Sequence, residues 1–264
     1  MSMNPYAGES PAKVRAQIRE GLITGQTSGM CEGYAQANLC VLPREYAYDF
    51  LLFAMRNPRA CPLLEVSDEG SRTLHEIARG ADIARDFPKY RFYKNGTLAG
   101  EYTDVSDLWR EDFVSFLIGC SFSFEAALLE EDIPVRHIEE GRNVPMYLTS
   151  IPCTPAGIFH GNMVVSMRPM TPNKAIRAAV ITAGMPRVHG APIHMGDPLA
   201  IGISDLSKPD FGDPVTVREG EIPVFWPCGV TPQAAVMAAK PSVAITHAPG
   251  HMLITDIKNN ALKD

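Results

Sequence analysis

The chain reads as an α/β protein. A larger α/β domain with a mixed sheet takes residues 1–145 and 223–264, and a smaller α+β domain, residues 146–222, is inserted into it. Three features carry this reading. Helix-period and strand-like segments alternate along the chain. The texture changes at residue 146, where Pro- and Gly-rich strand-like pieces take over. A helix and two strands then close the chain. With 264 residues and 45% hydrophobic content there is material for one large core or two small ones.

Ser10-Pro11 has the N-cap and first-turn signature of a helix, and Val14, Ile18 and Leu22 follow at helical spacing. A Gly-rich loop leads to a short element that carries Gln36 and Asn38 and ends at Pro43. "REYAYDFLLFAMRNP" reads as a helix stopped at Asn57-Pro58. "KYRFYKNGTLAGEYTD" alternates about Asn95-Gly96, the pair that favours a tight hairpin. Trp109, Phe113, Phe116, Leu117 and Cys120 fall on one helical face. "FLIGCSFSFEAALLEED" is therefore expected to be a helix–helix junction, with Gly119 as terminator and Ser121 or Ser123 as the next N-cap. That is not the strand–turn–helix context of a nucleophile elbow.

In the inserted unit, "MYLTSI" and "MVVSMRPM" read as strands, and Thr171-Pro172 opens the helix "NKAIRAAVITAGM". "APIHMGDP" and "DPVTVREGEI" are strand-like. "PVFWPCG" is a further strand, Thr231-Pro232 caps "QAAVMAAK", and "VAITHAPGHMLITD" closes as strand, Pro-Gly turn, strand.

The net charge of -6 comes from interspersed acids without a basic stripe, which argues against a nucleic-acid partner. No apolar leader and no run long enough to span a bilayer is present, so a cytoplasmic protein without membrane association is expected. Cys31, Cys40, Cys61, Cys120, Cys153 and Cys228 are scattered without a C-x-x-C pair. They are expected to be buried free thiols, with neither a disulfide framework nor Cys-rich zinc. No cofactor is expected, and a homodimer is the default assembly.

Cys120 is a candidate nucleophile, because N–H groups at a helix start lower a thiol's pKa. The structural alternative is a small buried residue completing an apolar face. Either way, the helix start offers unpaired N–H donors to a carboxylate or an oxyanion. Glu125 is a first-turn acid favoured by the helix dipole, or a general base. Arg142 and Asn143 lie in "RHIEEGRNVPMY", just ahead of the inserted unit, where a clamp for a substrate carboxylate fits an interdomain crevice. The alternative there is a solvated, self-paired loop.

His247 and His251 flank Ala-Pro-Gly, so a type II turn with Gly250 at its third position brings their backbones close. With His194 they are candidate acid–base groups titrating near neutrality. With His189 and Asp197 they could instead hold a divalent metal, although no metal-motif spacing is present. Thr231 marks a second capped helix start. Gln36, Asn38, Ser121 and Ser123 complete the candidate substrate-binding set.

The runs "GYAQANLCVLP", "FLLFAMRNPRACPLLEV", "FLIGCSFSFEAALLE", "IPVRHIEEGRNVPMY", "VHGAPIHMGDPLAIGI", "FGDPVTVREGEIPVFWPCGVTPQA" and "AITHAPGHMLITD" resemble the hydro-lyase family grouped with D-glutamate cyclase. The resemblance spans the chain from about Pro11 to Asp256. It implies a two-part α/β architecture and a carbon–oxygen lyase that releases water, in the cyclase version closing D-glutamate to 5-oxo-D-proline. It assigns no residue roles; those follow from the chemistry. The amine must lose its proton to a base, the tetrahedral oxyanion needs preorganised donors, and the leaving hydroxide needs an acid.

On that basis Arg142 and Asn143 are expected to hold the small-molecule carboxylate substrate, and backbone donors around Cys120–Ser123 the oxyanion. His247 or His251 would serve as acid–base, with Glu125 or His194 as alternates. Two other classes compete: a metal-dependent hydrolase or dehydratase, and a non-catalytic carboxylate-binding protein.

Overall fold

The computed structural model describes residues 4–263. Two sheets organise it, and every pairing between their strands is antiparallel among the described residues. The fold is of the α/β class, as the alternating patterns imply. No helix among the described residues is long and apolar enough to cross a membrane.

The chain opens with α1 (Pro11–Arg19), which buries Val14 and Ile18 and ends early enough to leave Leu22 exposed. β1 (Tyr34–Pro43) leads directly into α2 (Arg44–Arg56), and β2 (Leu63–Val66) follows. The hairpin β3 (Tyr90–Lys94) and β4 (Thr97–Tyr102) turns on Asn95 and Gly96, both at positive φ, as the Asn-Gly pair requires.

β5 (Phe113–Gly119) overturns the expected helix. The strand lies between β2 and β1, covered on both faces. Phe113 and Leu117 enter one core, Phe116 and Ile118 the other. A strand buried on both faces needs no polar alternation, so its apolar run mimics a helix stripe. The junction at Cys120 is therefore strand–turn–helix, the context that the sequence had seemed to deny. It continues into α3 (Phe122–Glu130) and the short α4 (Arg136–Glu139).

β6 (Met146–Pro152), β7 (Asn162–Met170), β8 (His194–Met195) and β9 (Ile222–Pro227) form the second sheet in the order β6-β7-β9-β8, with α5 (Pro172–Ala183) between β7 and β8. Residues 213–221 form no strand, contrary to the strand-like look of "DPVTVREGEI". After β9 come α6 (Thr231–Ala239), β10 (Val243–His247) and β11 (Leu253–Lys258).

The main sheet runs β2-β5-β1-β10-β3-β4, with β11 also on β1. β1 is its hub. One edge pairs with β5 from Ala37↔Gly119 to Pro43↔Phe113. The other edge is split: β11 takes Tyr34 to Ala37, and β10 takes Cys40 and Val41. In the gap, at Asn38 and Leu39, the chain leaves β10 at His247 and returns at Leu253. The turn between them is the expected one: Gly250 has φ +85° and the His251 N–H donates to the Ala248 carbonyl at 2.9 Å. The split in the ladder sets His247 and its turn in the middle of a sheet instead of at its rim.

A candidate active site between two strand–helix junctions

Two junctions of the same design meet at this split. β5 ends at Gly119, and Cys120 and Ser121 lead into α3; β9 ends at Pro227, and Cys228, Gly229 and Val230 lead into α6. Each cysteine directly follows the last residue of its strand. Between the junctions is a small cavity of about 20 Å³, lined by Asn38, Cys120, Asn143, Cys228, His247 and Gly250 among others. That is room for about one water molecule.

Close backbone packing shapes the walls. A Cβ on Gly229 would run into the Asn38 side chain, and one on Gly119 into the Arg187 carbonyl. Asn38 Nδ2 donates to the carbonyls of Gly119 (2.8 Å) and Ile118 (3.2 Å), tying β1 to the end of β5. Burial pushes both thiols up, Cys228 to about 11, while the N–H groups of Phe122 and Val230 pull Cys120 and Cys228 the other way. Both are therefore neutral thiols at neutral pH. All six cysteines are free and buried, as expected.

The two histidines differ in tautomer, and backbone partners fix the difference. The Leu39 N–H, left without a strand partner, donates to His247 Nδ1 at 3.1 Å. The Leu39 carbonyl is farther from the same nitrogen, at 3.5 Å. Nδ1 is thus the acceptor and the ring proton sits on Nε2. Burial lowers the His247 pKa to about 4, so the ring is neutral and acts as a donor. His251 is the reverse. Its Nδ1 faces the Pro249 carbonyl at 2.9 Å and must carry the proton, leaving the Nε2 lone pair free. Burial lowers its pKa as well.

His251 lines a second, open cleft of about 530 Å³ together with Lys89, Arg91, Asn143, Asp210 and Pro249. Asn143 and Pro249 belong to both spaces. The Asn143 N–H donates to Asp213 at 2.9 Å, which anchors the residue. Its side chain is 8% exposed and Oδ1 is buried without a partner. A buried acceptor left unpaired costs about 1–3 kcal/mol, so a site that keeps one is built to receive a donor.

Behind Cys120 stands a buried ion pair. Arg168 bonds Glu125 Oε1 through Nε (3.0 Å) and Nη2, Ser166 Oγ (2.9 Å) and Ser121 Oγ (3.1 Å). Its guanidinium also stacks on Phe124 and Trp226, 4.9 and 5.5 Å from their ring centroids. Burial alone would push the Glu125 carboxyl up; His137, 3.4 Å away, and Arg168 outweigh it and hold it at about 2. The pair pins the start of α3 to β7.

The remaining candidates are spread around this centre. Ser121 lines the cavity at the N-cap position of α3, but its side chain serves Arg168 instead of capping. Ser123 Oγ accepts the Gln36 N–H at 3.1 Å, and the Gln36 side chain bonds Thr27; both residues brace β1 against α3. Thr231 is the first residue of α6, not its cap, and its hydroxyl ties β7 to the Cys228 carbonyl. Arg142 is bonded to the Pro214 carbonyl on the surface. His194 lies on β8 against Phe225, its Nε2 on the Asp197 carbonyl, away from both spaces. Among the described residues no three His, Cys, Asp or Glu side chains converge as metal ligands.

Sequence reasoning missed Cys228 and Arg168. A signal for Cys228 was present: "GCSF" and "PCGV" both put a cysteine between an apolar strand-like run and a helix.

Fold and site together define an α/β protein with a candidate small-molecule site, a small and mostly apolar cavity beside an open cleft. The profile of the D-glutamate cyclase family matches residues 114–256, which hold Cys120, Asn143, Cys228 and His247. A relative from Clostridium beijerinckii, named "Putative hydro-lyase", is 66% identical over 258 residues, 98% of each chain. Relatives of the same description from Thermoanaerobacter sp. strain X514 and Stutzerimonas stutzeri strain A1501 are 61% identical over 257 residues and 59% over 262, covering 97% and 99% of both chains. The chain belongs to the D-glutamate cyclase family. That membership bears out the resemblance read from the sequence and the lyase class it implied.

Proposed function

We propose that the protein removes water from a small amino acid with a distal carboxylate, closing D-glutamate to 5-oxo-D-proline. The observation that carries this reading is the placement of neutral His247. Its Nδ1 is occupied by Leu39, and its Nε2–H is left for a ligand in a water-sized cavity between two helix starts. The reaction balances without a co-reactant. The ammonium nitrogen gives up two protons, one carboxylate oxygen takes two, a C–N bond forms and a C–O bond breaks.

The body of the substrate occupies the open cleft, where Lys89 and Arg91, which share Glu101 as partner at 4.0 and 2.9 Å, turn to the substrate's second carboxylate. The reacting carboxyl reaches inward past Asn143. His251 Nε2, the free lone pair at the mouth, takes the first proton from the ammonium. Asn143 Oδ1 receives an N–H of the resulting amine and aims the nitrogen at the carboxyl carbon. His247 Nε2–H and the N–H groups at the starts of α3 and α6 stabilise the oxyanion. Six free thiols suit a reducing, cytoplasmic setting.

The test is incubation of the purified protein with D-glutamate and L-glutamate separately, with 5-oxoproline followed by chromatography. Stereoselective product from the D isomer, above the enzyme-free rate, is the expected result. No product from either isomer would remove glutamate as substrate.

A further inference from the structure

Neither Cys120 nor Cys228 has a part in the reaction as drawn so far, yet their settings repeat one another. Both follow the last residue of a strand, precede a nine-residue helix and line the same cavity. Both are nearly sealed from solvent, at 5% and 6% exposure. The other four thiols lie elsewhere: Cys40, Cys61 and Cys153 in the core around Phe50, and Cys31 in the cluster beneath α1. Packing alone does not ask for a second thiol lining the same water-sized space as the first. Asn143, whose buried Oδ1 has no partner among the described residues, lines that same space.

We propose that Cys120 and Cys228 are a matched pair of proton donors to the departing water, each delivering one of the two protons that the leaving oxygen must gain. This rests on the cyclase reading and adds two catalytic residues to it. The step is closed in atoms and electrons. As the C–O bond breaks, each S–H proton passes to the leaving oxygen and its bonding pair stays on sulfur. The two protons lost by the substrate nitrogen, the first held on His251, restore the thiols. Nothing is oxidised or reduced. Burial keeps both sulfurs protonated in the resting site, so each enters the step carrying the proton it gives, and the nearby N–H groups of Phe122 and Val230 favour the thiolates that remain.

The test measures kcat for D-glutamate and, by calorimetry, the affinity for 5-oxo-D-proline in wild type, Cys120→Ser, Cys228→Ser and the corresponding Ala variants. Each Ser variant should lose about 100-fold or more in kcat while product affinity stays within about threefold, since a general acid contributes roughly 10²–10⁴. A folded Cys228→Ser variant that keeps kcat within about threefold would overturn the pair and leave the cyclase reading intact. Should the variants not fold, wild type alone decides. A proton inventory of kcat in mixed H2O and D2O should curve as for two protons in flight, and a linear one would overturn the proposal. If wild type makes no 5-oxoproline at all, the cyclase reading fails first and the pair falls with it.

Discussion

His247 shows how one backbone group can decide the chemistry of a side chain. Had Leu39 a strand partner, Nδ1 would be free and the ring could act as a base. The split ladder instead makes it a neutral donor. His247→Ala should therefore lower kcat by about 10²–10³, the cost of losing one oxyanion donor. The loss should be the same across the neutral pH range, because a group with pKa about 4 does not titrate there; a loss confined to one limb of the pH–rate profile would mean that His247 moves a proton. Asn38, Asn143 and His247 were named from the sequence, Asn143 for its cluster of charged neighbours and His247 for its Pro-Gly turn. Cys228 was passed over although "PCGV" repeats the setting of "GCSF", because a cysteine next to an apolar strand passes for part of its apolar face. The partner of Glu125 was not legible either, since Arg168 lies 43 positions away on another sheet.

Among the elements, the two strand–helix junctions carry the site and tolerate little. Gly119 has an ordinary φ, so its requirement is one of space: a methyl group there meets the Arg187 carbonyl, which is backbone and cannot rotate aside. Gly119→Ala should cost about 1–3 kcal/mol, the usual cost of overpacking, and should displace Cys120 with it. Chemical denaturation together with kcat checks this; an Ala variant as stable and active as wild type would show that the junction yields. The helix starts, the Asn-Gly hairpin and the Pro-Gly turn were readable because each depends on local backbone chemistry. β5 was misread because its two covered faces are a property of the whole sheet, which no local pattern encodes.

For the molecule as a whole, pH stability follows from three buried groups. Burial lowers His247 and His189 to about 4, against about 6.5 in the unfolded chain. Both folded pKa values are depressed, so the neutral forms stabilise the fold fully above about pH 6.5, and that stability is lost as pH falls towards 4, about 3 kcal/mol at most for each ring. Glu125, held at about 2, adds stability above its unfolded value near 4.5 that is lost between 4.5 and 2. The thermal midpoint should thus fall in two successive stages, the histidines first. His189→Asn, which can keep the bond from Nδ1 to the Arg59 carbonyl (2.8 Å), should flatten the first stage by about half. An unchanged slope would show that His189 does not hold its proton affinity down in the fold.

The proposed reaction occupies the space between Cys120 and Cys228, and a crystal structure of the wild-type protein with 5-oxo-D-proline bound would locate it outright. The expected density has the ring in the open cleft beside His251, its carbonyl oxygen directed past Asn143 to His247 Nε2, with both thiols facing the position the lost water had held. Product bound instead in the separate cavity of about 280 Å³ beside Tyr34 and Glu130, with the inner space unchanged, would contradict it.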